Sequence, residues 1–244
     1  MADRTRSCAL PGRRPGCRTF SRPRRPRCGR ASRAAAGRPR ARSTGGAPPA
    51  CPRLVRQAGH PLCESPPGRA RQMNTGARRA AGDVLLFLHA DTRLPPDGVE
   101  AVRAAMRDPA VVAGRFDLVY ENAPWPYPWI AWSGNLRSRL TGICTGDQTI
   151  FVRRAALEAV GGYPEIPLME DVELSRRLKR LGRVACLRAR AVGSTRKYRQ
   201  EGAWRTVALM ALLRALYALG VRPERLHRLY YRRDPRKQLR SPGA

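Results

Sequence analysis

Lysine is almost missing from this chain: 45 of its 48 basic residues are arginine. Acids are also scarce, with 18 set against those 48, which leaves a formal net charge of +30. The seven cysteines contain no closely paired C-x2-C set. His60 with Cys63 is the nearest approach to such a pair, and without a second pair a zinc module is excluded. No apolar run approaches the roughly 20 residues that cross a bilayer, and the first residues lack the apolar stretch of a secretory signal. These absences predict a reducing, cytoplasmic setting in which Cys144 and Cys186 are ordinary small core residues.

What is present falls into two unlike pieces. Residues 1–66 contain Val only at 55, Leu at 10, 54 and 62, Phe at 20 and no Ile. Such a composition buries too little apolar surface to offset chain entropy, so a disordered Arg/Pro-rich segment is predicted. The charge is concentrated here, since residues 1–70 hold 17 Arg and no Lys against Asp3 and Glu64. Two readings of the segment are open. It is a basic tail for nucleic acid or membrane, or an out-of-frame translation of a GC-rich gene, whose codons yield this mixture of Arg, Pro, Ala and Gly. The remainder is basic enough to favour phosphate-bearing ligands, and nucleic acid is not the expected partner.

From Gly68 onward the chain alternates helix and strand signals, which predicts an α/β fold. Helical patterns cover 68–81, 97–107 with Asp97 as N-cap, 129–140, 154–160 and 170–181. Strand patterns cover 83–88, 111–120, 149–153 and 184–192. Residues 67–200 form the expected core, and 201–244 a C-terminal apolar and basic helix with a tail. Residues 204–221 are apolar over most of their surface. They pack on the core as a helix, or they lie in a membrane interface with arginines at anionic headgroups.

The most informative junction is Val84-Leu85-Leu86-Phe87-Leu88 running into His89-Ala90-Asp91. A short apolar run of this kind is a strand buried on both faces, and ligands gather at the carboxyl ends of such strands. Asp91 therefore marks a site, or else it caps a turn through backbone amides. Glu170-Asp171 opens a helix, where acids complement the macrodipole by about 0.3–1 kcal/mol but also suit proton abstraction. Between the two acidic positions lies Gly146-Asp147-Gln148, a loop in which glycine lets backbone approach a ligand. Two acid clusters and such a loop suit sugar transfer from a nucleotide diphosphate. There a divalent cation offsets leaving-group charge and a carboxylate takes a proton from the attacking hydroxyl.

GRARQMNTGA (68–77), LFLHADTRLP (86–95), NLRSRLTGICTGDQ (135–148), FVRR (151–154), GGYP (161–164) and PLMEDVELSRRL (167–178) together resemble a family 2 glycosyltransferase. The similarity is to a small bacterial subgroup labelled for arsenosugar biosynthesis. The resemblance implies a GT-A-like, Rossmann-type mixed sheet, truncated at its N-terminal strand because no Val/Ile run followed by acids stands in residues 1–66. It implies Asp91 as metal ligand for Mn2+ or Mg2+, with His89 where relatives carry a further Asp. Hard cations prefer oxygen, so His89 is read either as a second ligand or as a structural or phosphate-side group. It further implies Asp171 as catalytic base positioned by Glu170, Arg69, Arg71 and Asn74 with Asp91 on the donor side, and Asp147 and Gln148 on the acceptor side. The implied partners are a nucleotide-sugar donor and a hydroxyl acceptor; the interfacial reading of residues 204–221 adds peripheral contact with an anionic membrane at its inner face. The Gln-x-x-Arg-Trp motif of processive relatives is absent from 200–205, so transfer of a single sugar with inversion is the expectation.

Overall fold

The computed structural model describes residues 32–34, 41–43, 55–57 and 59–231. A mixed seven-stranded open sheet forms the centre, in the order β3-β2-β1-β4-β6-β5-β7. The strands are β1 (Ser32–Ala34), β2 (Ala41–Ser43), β3 (Leu62–Cys63), β4 (Val84–His89), β5 (Val111–Val119), β6 (Ile150–Arg153) and β7 (Arg183–Val192). The helices are α1 (Arg69–Arg79), α2 (Gly98–Ala105), α3 (Tyr127–Thr141), α4 (Arg154–Ala159), α5 (Glu170–Leu178), α6 (Arg196–Glu201), α7 (Ala203–Ala218) and α8 (Pro223–Tyr231). The α/β expectation with a mixed sheet holds.

β4 shows why the apolar run is central. Its side chains alternate across the sheet, and Leu85, Leu86, Phe87 and Leu88 are all buried. Leu85 and Phe87 join Met73 and Ala77 of α1 and Leu174 and Leu178 of α5 on one face. Leu86 joins Val102 of α2, Phe116, Phe151 and Ala191 on the other. Burying each such side chain contributes about 1.5–3 kcal/mol. Gly114 within β5 serves the same packing, because a Cβ there would stand 2.3 Å from the Phe151 ring and 2.5 Å from the Ala185 carbonyl oxygen.

β4 and β5 run the same way, with β6 antiparallel between them and β7 parallel to β5. The carboxyl ends of β4, β5 and β7 thus share one edge of the sheet with the entry to β6. His89, Val119, Val192 and the turn at 146–149 all lie along that edge, and a bridge from Arg93 to Val192 ties it together.

Before residue 84 the structure departs from the sequence reading, which has no strand there. β1 lies antiparallel on β4, with Arg33 opposite Leu88, and β2 pairs with β1 and β3. Ladder hydrogen bonds come from backbone groups alone, so strands of two or three residues form here without the long apolar run on which the reading relied. Residues 55–57 form a helical turn with Val55 buried, whereas positions 1–31, 35–40, 44–54 and 58 of the expected disordered segment lie outside the described residues. Asp97 stands at the N-cap of α2, but its side chain makes no capping hydrogen bond.

Candidate functional site

The site is assembled around Gly146. Two hydrogen bonds fasten the loop before it to α5: the Cys144 N–H donates to Ser175 Oγ at 3.0 Å and the Gly146 N–H donates to Asp171 Oδ2 at 2.9 Å. Asp171 Oδ1 accepts from the Val172 N–H at 2.8 Å, so both carboxylate oxygens are oriented by backbone donors at the helix start. Gly146 opens a 3-10 turn, Gly146–Gln148, whose Thr145 and Gln148 side chains form a reciprocal capping box.

Gln148 explains why that turn sits where it does. Its Oε1 accepts from Ser138 Oγ at 2.7 Å, and its Nε2 donates to Asn135 Oδ1 at 3.2 Å. Asn135 in turn pairs with both the N–H and the C=O of Leu118 at 2.9 Å. The turn is thereby pinned to α3 and β5. This corrects the expectation that Gln148 faces an acceptor: its side chain is buried and its amide is committed to neighbours inside the fold. It is a positioning residue.

The second wall is Arg69 at the start of α1. Its Nε lies 3.0 Å from Glu170 Oε1, and Glu170 is only 3% exposed. The Glu170 charge raises the guanidinium further above its usual value, against the effect of burial. Arg69 Nη2 also lies 3.2 Å from His89 Nε2. A guanidinium has no acceptor, so Nε2 is the accepting nitrogen and the ring proton sits on Nδ1. His89 therefore turns Nε2 toward Arg69, which favours the structural or phosphate-side reading of this residue over the metal-ligand one. Gly146 touches both groups, since a Cβ on it would stand 2.7 Å from Arg69 Nη2 and 2.7 Å from His89 Nε2. The end of β4, the start of α1 and the start of α5 meet at this glycine.

Asp91, two residues beyond His89, is exposed and lies 3.4 Å from Arg196 of α6. Asp147 faces inward from the turn, and its Oδ1 is buried without a hydrogen-bond partner. Burial raises the Tyr120 phenol far above its ordinary value, and the charges of Asp147 and Asp91 add to the rise. Burial and then Asp147 raise Tyr198 as well. Arg137 is lowered, first by burial and then by the Arg214 charge, while Asp147 and Asp171 oppose that fall. Asp91, Asp147 and Asp171 thus share one electrostatic neighbourhood, with Tyr120, Tyr198 and Arg137 among them. Sequence reasoning assigned no role to Tyr120 or Arg137, because each enters the site only through the packing of α3 and β5.

Two further expectations are corrected by geometry. Asn74 clamps a loop: its Nδ2 donates to the Tyr163 carbonyl at 2.9 Å and its Oδ1 accepts the Tyr163 N–H at 2.8 Å. Both ends of that amide are engaged by backbone, which gives Asn74 a structural part in holding the 161–165 loop. Arg71 stands about 200° around α1 from Arg69 and pairs with Glu165 at 3.1 Å on the exposed side, so it does not join the cluster.

A divalent cation was tested against these residues. Among the described residues no three His, Cys, Asp or Glu side chains surround a common point. Asp91 offers an accessible carboxylate at the sheet edge, while Glu121, also exposed just past β5, is paired with Arg93; one carboxylate suffices for an ion that takes its other ligands from phosphates and water. The residues fit a substrate-borne ion and do not fit an all-protein cage.

Residues 63–161 match the model of glycosyl transferase family 2, which is less than half of the chain. Among solved structures, the mannosyltransferase PcManGT from Pyrobaculum calidifontis, in complex with GDP-Man and Mn2+, is similar over 70% of this chain at 20% sequence identity and a TM-score of 0.49. The match covers 51% of that protein, so the chain spans about half its length. No curated protein matches by sequence.

Proposed function

We propose that this chain is a family 2 glycosyltransferase that moves one sugar from a nucleotide-diphosphate donor to a hydroxyl acceptor, with inversion. The observation that carries the reading is the contact of Gly146 with Asp171 on one side and with Arg69 and His89 on the other. Arg69, His89 and Gly146 lie within the residues that match the family model, 63–161, and Glu170 and Asp171 follow beyond them; the contact supports reading the end of β4 and the acid pair of α5 as parts of one site.

In this reading Asp171 removes the proton from the acceptor hydroxyl as that oxygen attacks the anomeric carbon and the bond to the diphosphate breaks. Glu170 is a poor base here, being buried and paired with Arg69. Its part is to fix Arg69, which with Arg196 supplies guanidinium donors to diphosphate oxygens. Asp147 accepts a hydroxyl of the acceptor on its otherwise orphaned Oδ1, since a buried acceptor gains most from a donor when it has none. Asp91 would hold Mn2+ or Mg2+, which when bound would offset charge on the leaving diphosphate. The arsenosugar-related subgroup and a cytoplasmic setting belong to the same proposal and rest on the sequence alone.

The test is sugar release or transfer from a panel of nucleotide sugars by the full chain. Asp171→Asn is expected to lower kcat by about 100-fold or more, the usual scale for a lost general base, with donor affinity kept. Turnover unchanged in Asp171→Asn would refute the assignment.

A further inference from the structure

All four tryptophans of the chain, Trp125, Trp129, Trp132 and Trp204, are exposed. Three of them touch: Trp125 and Trp129 each lie against Trp204, with ring centroids 6.0 and 5.5 Å apart. Large aromatic side chains left in water at one place are the informative exception to ordinary surfaces.

Two apolar stripes lead away from this cluster. Along α3 the exposed positions include Trp129, Trp132, Leu136 and Leu140, spaced three, four and four residues apart and so on one side of the helix. Along α7 they include Trp204 and Leu212, followed at its C-cap by Leu219, which is 81% exposed. Ala208, Ala211 and Ala215 fill the same outer side of α7. The opposite side of α7 is already satisfied, with Leu213 buried beside Met169 and Val172 of α5 and Leu226 of α8. α7 therefore has two apolar sides, and within the described residues the fold covers one.

Charge decides between occupants. Residues 196–231 carry eight basic residues against Glu201 and Glu224; Arg205 is exposed on α7 one residue from Trp204, and Arg222, Arg225 and Arg228 are exposed at and along the neighbouring α8. A second copy seated on this face would set like charges against one another. An anionic lipid surface attracts them at about 1 kcal/mol each, while indole rings settle at the headgroup level. We propose that this face, the outer sides of α3 and α7 joined at the tryptophan cluster, docks on an anionic lipid bilayer. No described helix is long and apolar enough to cross a membrane, so the contact lies in the interfacial plane. The inference does not depend on the catalytic assignment.

The four indoles make the test direct, because every tryptophan signal of the full chain reports this face. Titration with phosphatidylcholine vesicles containing phosphatidylglycerol and brominated acyl chains is expected to quench the tryptophan fluorescence. Vesicles of phosphatidylcholine alone are expected to do so far less. In co-sedimentation, Trp204→Ser/Leu212→Ser/Leu219→Ser is expected to partition at least about tenfold more weakly, and its exposed positions leave the melting transition in place. Three results would overturn the proposal: no pelleting with anionic vesicles, pelleting without tryptophan quenching, or a dimer in sedimentation equilibrium that the triple substitution dissociates. Should the triple variant fail to fold, quenching of the unmodified chain still decides.

Discussion

Gly146→Ala isolates the geometry on which the site rests. The glycine backbone lies outside the positive-φ region, so alanine brings no backbone strain and the whole effect comes from its methyl group. That carbon would stand 2.7 Å from Arg69 Nη2, 2.7 Å from His89 Nε2 and 2.9 Å from His89 Cε1. Ordinary contacts begin near 3.4 Å, so both groups must retreat by roughly 0.5–1 Å, as in other overpacked sites. Arg69 can swing, but only by loosening its 3.0 Å contact with Glu170. Removing one partner of a buried pair costs about 3–5 kcal/mol. Partial displacement of an arginine that is one-third exposed falls below that, so we expect a loss of about 1–3 kcal/mol. For a chain of this size that corresponds to roughly 2–4 °C in Tm per kcal/mol.

Urea unfolding of the unmodified chain, Gly146→Ala, Arg69→Ala and the double variant closes a cycle. The methyl group should cost about 0.5–1 kcal/mol less once Arg69 is gone, because one of its two obstacles has been removed and His89 remains. Additive costs, or an alanine tolerated without loss, would refute the packing of α1, β4 and the 146–148 turn described here.

Asn74→Ala should lower stability by about 1–3 kcal/mol through two lost backbone hydrogen bonds and leave donor KM unchanged in the remaining folded protein; a raised KM at full stability would return Asn74 to the donor site. Glu173 gives a pH dependence. Burial pushes its carboxyl up, but hydrogen bonds from Arg177 and Tyr217 outweigh this and hold it below the usual value. The unfolded chain then binds the proton more readily, so the contribution is present above an ordinary glutamate pKa of about 4.3 and is lost as pH falls through the folded value. Since Tyr217 donates to Glu173 across α5 and α7 at 3.0 Å, melting curves on the acid side should lose this slope in Glu173→Gln. An unchanged slope would remove the linkage.

The elements were legible wherever periodicity and punctuation agreed. The run Val84–Leu88 announced a strand buried on both faces, and Glu170 to Leu178 announced a helix by its apolar stripe and acidic first turn. Side-chain roles were less legible, for a physical reason. Asn74, Gln148 and Arg71 share stretches with true site residues, and a linear motif does not say which way an amide points once the helix rotates by 100° per residue. Asn74 and Gln148 are oriented by partners 89 and 10 residues away, which no local pattern encodes. Tyr120 and Arg137 had no local signature because their relevance comes from the charges of Asp91, Asp147 and Asp171 meeting around them. The short strands before residue 66 were missed because backbone pairing leaves no mark on composition.

In the proposed reaction, Asp91 and its neighbours hold the donor diphosphate at the carboxyl edge of the sheet. A thermal-shift titration of the full chain with nucleoside diphosphates, with and without Mn2+, tests this directly. At least one nucleotide should raise Tm in the presence of the ion, and Asp91→Ala should abolish that ion-dependent rise while its own unliganded Tm stays close to the parent's. Stabilisation that is equal in Asp91→Ala, or missing for every nucleotide tried, would contradict the central claim.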